Sequence, residues 1–131
     1  IIDEYVGNVG CQTDQVSVVV GTTTEPTGQP WLTVDYDEWV AIIKGKMEMH
    51  TQKGQEEVKV MTAVAGETIF VAKGDRFMPY FPEAGTEYIA TCIPAFSPDR
   101  CHREEEVGIN DVADKLAKFH SKTNDTTSAE E

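Results

Sequence analysis

Seven short runs rich in branched and aromatic residues follow one another between Gln15 and Ile93, with glycine or proline in most of the gaps. They span 15–20, 38–43, 46–51, 57–61, 68–72, 76–81 and 86–93. Runs of this length are too short for stable helices, and several alternate apolar and polar side chains with the period of a half-buried strand. Lys53-Gly54 reads as the polar tip of a hairpin between the third and fourth runs. Seven or eight closely spaced strands predict an all-β fold, an antiparallel barrel or sandwich.

A chain of 131 residues supports one compact domain. Its 11 Lys and Arg against 23 Asp and Glu leave a net charge of −12. Such a surface repels phosphate backbones and anionic lipid, so neither nucleic acid nor a membrane is expected as a partner. No apolar run approaches the ~18 residues of a membrane-spanning helix. Cys11, Cys92 and Cys101 are odd in number and widely spaced, which suits the cytoplasm or another reducing compartment. The chain begins at Ile1 rather than Met, as a trimmed or processed chain would, so a removed targeting peptide stays compatible with it.

The period changes after Gly108. Ile109, Val112, Leu116 and Phe119 recur at helical spacing behind an Asn110 N-cap, predicting a short helix over 108–120. Its apolar stripe must dock on the barrel or on a partner subunit. Residues 121–131 carry no aromatic or branched apolar side chain and read as a disordered acidic tail, leaving 1–107 for the barrel.

Two segments resemble the two motifs of the cupin superfamily. Glu38-Trp-Val-Ala-Ile-Ile-Lys-Gly45 keeps the Glu-x6-Gly spacing of the first motif. Gly66-Glu-Thr-Ile-Phe-Val-Ala-Lys-Gly74 keeps both glycines of the second, with Ala72 in place of its proline. The resemblance covers about residues 15 to 104 and implies a small antiparallel β-barrel of jelly-roll type. Trp31-Leu-Thr-Val-Asp-Tyr-Asp-Glu38, together with Ala72-Lys-Gly74, is most similar to the cupin domain of ethanolamine-utilisation (EutQ-like) proteins, which are tied to bacterial microcompartment metabolism.

In metal-dependent cupins three histidines and the glutamate hold a divalent metal. Here the paired-histidine positions fall on Trp31 and Thr33, or on Leu32 and Val34 if the loop is one residue shorter, and the third falls on Phe77. One carboxylate does not make a transition-metal site, so the resemblance implies a cupin without metal or other cofactor. His50, read as a hairpin-tip residue, and His120 lie away from the motif strands. A soft-metal site from Cys92, Cys101 and His102 has poor spacing.

Glu38 is the residue most suited to chemistry. Facing inward, with an apolar lining of Trp31, Val40 and Phe77, its pKa would rise, and it could act as a general base or bind a hydroxyl or amine. The alternative is that Thr33, Tyr36 or Tyr80 satisfies it. Tyr36 is the companion catalytic candidate, and Trp31, Thr33, Phe77, Tyr80 and Tyr88 are the candidate ligand contacts, with Phe77 and Phe81 on one face as packing. Lys73, Arg76, Arg100 and Arg103 either rim an anion site or form ion pairs. The expected function is binding or transforming a small polar metabolite around Glu38. The alternative is an assembly or regulatory module acting through its surface. A homodimer is expected in both cases.

Overall fold

Period-two alternation becomes eleven strands in the computed structural model, which describes residues 1–104. They are β1 (Ile2–Val6), β2 (Ser17–Thr22), β3 (Thr27–Gly28), β4 (Leu32–Val34), β5 (Asp37–Lys44), β6 (Lys46–Gln52), β7 (Lys59–Val64), β8 (Thr68–Val71), β9 (Arg76–Phe81), β10 (Glu87–Ile93) and β11 (Cys101–Arg103). The seven expected runs correspond to β2 and β5 to β10, with ends shifted by three residues at most. β1, β3, β4 and β11 went unread because they are short or polar and owe their extended form to pairing with neighbours. The helix expected over 108–120, with His120, and the tail expected over 121–131 lie outside the described residues. Among the described residues no helix is long and apolar enough to cross a membrane.

All pairings are antiparallel. One sheet has the order β1-β2-β10-β5-β8, and the other β11-β4-β9-β6-β7, with β3 also on β9. The two inner faces enclose the core, which includes Val40, Ile42, Met47, Met49, Val71 and Phe77. On β6 both faces are buried: Met47 and Met49 point into the barrel, and Glu48 and His50 lie on the opposite face. His50 is therefore not a hairpin-tip residue. It sits in mid-strand at 8% exposure, its Nε2 3.5 Å from Glu48 Oε1.

The chain crosses from one sheet to the other between β5 and β6 through a single residue, Gly45, at φ +90°. A Cβ there would lie 2.8 Å from Thr86 Cα, so both the left-handed backbone and the close approach call for glycine. Thr86 is fully buried and ties three loops together. Its hydroxyl donates to Glu83 O at 2.9 Å and accepts from Lys46 N at 3.3 Å, and its own N–H donates to Thr23 Oγ1 at 3.0 Å.

Thr86→Val leaves the Lys46 N–H without its hydroxyl acceptor and the Glu83 carbonyl with only the Thr23 hydroxyl, and should cost about 1–3 kcal/mol in urea denaturation. Gly45→Ala should cost at least as much, through strain and overlap together. Gly54→Ala, at φ +56° with open space around it, should cost about 1 kcal/mol, and the ranking checks the role of the Gly45–Thr86 contact.

Candidate functional site

Strand register aligns the inner face of the first sheet in rows across its strands. Ser17, Cys92, Glu38 and Val71 form one row, and Val19, Ala90, Val40 and Ile69 the next. Glu38 thus projects inward for the same reason as Val40: both lie two apart on a strand whose intervening residue, Trp39, faces out. Between the sheets lies a cavity of about 210 Å³, lined by Glu38 with apolar side chains such as Val40, Met49 and Phe77. Tyr36, Tyr88, Phe96, Cys92, Cys101, Gln29 and Arg103 complete its polar and aromatic wall.

The Glu38 side chain makes no hydrogen bond or ion pair with the described residues. Its carboxylate touches the cavity space, yet protein encloses it, and burial pushes its pKa up to about 7. Tyr36 is 4% exposed, and its ring meets Phe96 edge-on at 6.3 Å. Burial raises the phenol well above its ordinary value, the Glu38 charge raises it further, and Arg103 opposes both. Burial likewise pushes the Cys92 thiol up to about 12 and raises Cys101.

The loop bearing Phe96 is fixed from outside. The Arg100 guanidinium grips both oxygens of Asp14 at 2.7 Å, donates to Ala95 O at 2.8 Å, and holds the Asp14 carboxyl at about 2. The Phe96 N–H donates to Ser17 Oγ at 2.9 Å.

Of the residues singled out in the sequence, Glu38, Tyr36, Phe77 and Tyr88 come together at the cavity. Trp31, Thr33 and Tyr80 do not line it. Leu32 and Val34 take the inward positions of β4 and belong to the core, so alternation turns Thr33 outward. Trp31 lies beneath the Arg76 guanidinium, 3.9 Å from ring centroid to Cζ. Tyr80 is fully buried, but it pairs in register with Glu48 on the opposite face of its sheet from Phe77 and Phe81. None of these three can satisfy or line Glu38.

Phe81 packs against Tyr88, with ring centroids 4.6 Å apart and planes at 19°. Tyr88 reaches this position because its register partner on β2 is Gly21, where a Cβ would collide with the phenol ring. Cys92 and Cys101 went unread as lining residues. Counting by twos along β10 from Tyr88 would have placed Cys92 on the inner face. Arg103 was visible as a cation, but its direction depends on β11, which the sequence does not announce.

The residues present do not fit a transition metal. Beside Glu38, the inward-facing Leu32, Val34 and Phe77 carry no donor atom. His102 turns away to meet Asp35 Oδ2 at 2.7 Å. Among the described residues no group of three or more His, Cys, Asp or Glu could hold a metal ion.

Two packed antiparallel sheets around such a cavity are shared with several solved structures. Oxalate decarboxylase from Bacillus subtilis superposes with a TM-score of 0.69 at 13% identity, over 92% of this chain and 32% of that one. PAC13 from Streptomyces, a tyrosine-to-phenylalanine variant solved with uridine, does so at 0.63 and 14%, over 84% and 89%. The fold is the cupin fold. Peruvianin-I, a cysteine peptidase from Thevetia peruviana latex, superposes at 0.59 and 10% identity, over 75% of this chain and 63% of that one. By sequence, the endoribonuclease YbeY of Myxococcus xanthus is 28% identical over 104 residues, 79% of this chain. This cupin-fold chain spans only 34% of that relative's length. No family model matches it.

The raised Glu38 pKa makes a signed prediction. Below pH 4.5 the carboxyl is protonated both folded and unfolded; between pH 4.5 and about 7 only the folded protein keeps the proton, so stability falls as pH rises through that window. Glu38→Gln should leave the melting temperature unchanged at pH 4 and raise it at pH 8, by roughly 2 kcal/mol of stability. Calorimetry at the two pH values checks this, and equal effects at both would put the carboxylate in bulk water.

Proposed function

We propose that the cavity binds a small polar metabolite and acts on it by proton transfer without a transition metal. Glu38 is the acid–base group, and Tyr36 is a phenol placed to hydrogen-bond the ligand. The observation that carries this reading is an inward carboxylate with no protein partner among the described residues, poised near neutrality. Native interiors leave few polar groups unsatisfied, and those they leave cluster at functional sites. Phe77 and Tyr88 give the ligand apolar walls.

The segment from Trp31 to Glu38 supports placing the chain near the EutQ-like cupins, and three free thiols favour a reducing compartment. The cysteine-peptidase name of the latex neighbour has the two cavity thiols against it here, because the thiolate is the nucleophile and burial disfavours it at Cys92 and Cys101, while the exposed Cys11 does not line the cavity. The endoribonuclease name of the Myxococcus relative has the net charge of −12 against it.

A second reading, an assembly or regulatory module working as a homodimer, is favoured by the outer face of the first sheet. Val18, Thr91, Trp39 and Phe70 are aligned across its strands, with Val20, Ile89 and Ala41 in the next row. Trp39 and Phe70 are 36% and 47% exposed with ring centroids 5.0 Å apart, and Ile43 nearby is 54% exposed. A second copy is the occupant that a flat sheet face suits.

A metabolite screen by thermal shift should yield ligands whose binding is lost in Glu38→Gln and reduced in Tyr36→Phe, and any turnover should rise as pH passes about 7. Binding unaltered by Glu38→Gln would remove that residue from the site. Trp39→Glu with Phe70→Glu should convert a dimer to a monomer by light scattering; an unchanged mass would take this face out of the assembly.

A further inference from the structure

The described residues include three arginines, and two have carboxylate partners. Arg76 donates to both oxygens of Glu104, at 2.6 and 2.8 Å. Arg100 does the same to Asp14. Among the described residues Arg103 meets no carboxylate, and its guanidinium donates to the neutral Oε1 of Gln29 at 3.3 Å. In a chain with 23 acidic residues against 11 basic ones, a shortage of partners does not explain this.

Its position offers a reason. β11 sets Arg103 opposite Leu32, on the inward face, and both Arg103 and Gln29 line the cavity. Arg103 is also exposed, so it stands where the cavity meets solvent. Its field is felt within, lowering Tyr36 and Cys101 against the upward push of burial. The Glu38 shift has burial as its one cause, so the guanidinium does not neutralise that carboxylate. The site therefore has a cationic side at Arg103 and an acid side at Glu38, with Tyr36 coupled to both.

We infer that the ligand is a small organic acid whose carboxylate pairs with the Arg103 guanidinium while a hydroxyl or other polar substituent meets Glu38. This rests on the small-molecule reading of the same cavity and names the class of molecule. The planar fork of an arginine matches a carboxylate in two parallel hydrogen bonds. A phosphate monoester offers the same geometry but carries about −1.5 to −2 charges at neutral pH, more than one guanidinium balances in an apolar cavity. At about 210 Å³ the space lies below the ~300–1,000 Å³ of drug-sized pockets, which favours a molecule of a few carbons.

The test is calorimetric titration of the full chain with short hydroxy- and oxo-carboxylates, each beside its amide and a phosphate monoester of similar size. The acids should bind about tenfold or more tightly than their amides. Arg103→Gln should lower acid affinity about tenfold and leave amide affinity unchanged, and Arg103→Lys should recover part of the loss. Because Arg103 is exposed, melting temperatures should match the wild type. Amides as tight as acids, or acids indifferent to Arg103→Gln, would overturn the inference yet leave a Glu38-dependent cavity standing. Tighter phosphate esters would overturn the carboxylate assignment. If no acid binds while a neutral metabolite does so in a Glu38-dependent way, the inference fails and the cavity reading survives. If nothing binds, both fail.

Discussion

Gly45 seated on Thr86 is the contact on which the enclosure depends. Two sheets facing each other need chain that passes between them, and here β5 leaves one sheet and β6 enters the other with one residue between. That residue must hold a left-handed backbone and let Thr86 approach too closely for any side chain. Thr86 then satisfies the polar groups that so abrupt a turn leaves exposed, reaching Lys46, Glu83 and Thr23 in a buried network. With this end pinned, the inner faces of β5 and β6 oppose each other, and the row containing Glu38 is carried over the cavity.

What fills that cavity explains its chemistry. Leu32, Val34 and Phe77 present hydrocarbon to the barrel interior, which contributes packing and offers no donor atom to a metal. The same hydrocarbon makes the remaining carboxylate costly to ionise, and that cost is what brings Glu38 to a pKa of about 7. One apolar lining thus both offers no metal donor at these three positions and raises the Glu38 pKa. The two thiols are affected in the same direction with the opposite consequence, because burial disfavours the thiolate that would make them reactive.

The two sheets use their outer faces differently. In the sheet containing β6, Glu48, His50 and Tyr80 are buried on the side away from the cavity, so nearly the whole of β6 is covered. In the other, Trp39, Ile43 and Phe70 remain exposed beside half-buried Val18, Val20 and Ile89. Apolar side chains on both faces of a strand, as on β2 and β5, are the signature of a sheet that is covered twice. One cover is the barrel interior, and for the other we propose a second copy.

Much of this was legible beforehand. The long strands and their turns follow from local alternation and from glycines at fixed spacing, because period two and positive φ are properties of a few consecutive residues, while the inward direction of Glu38 was implied by the resemblance of its Glu-x6-Gly segment to the cupin motif. The wall of the cavity was not. Whether Trp31 and Thr33 or Leu32 and Val34 face inward hinges on one residue of loop length, and a one-residue slip turns every side chain of a strand over. Tyr80 was open to either face until the pairing of β9 with β6 placed it outside. Arg103 faces the cavity only because β11 returns from the far end of the described chain to pair with β4. Composition and short-range pattern determined that this chain makes apolar-lined antiparallel sheets; the register between strands distant in sequence, set by packing rather than by any local signal, decided which side chains share the cavity with Glu38.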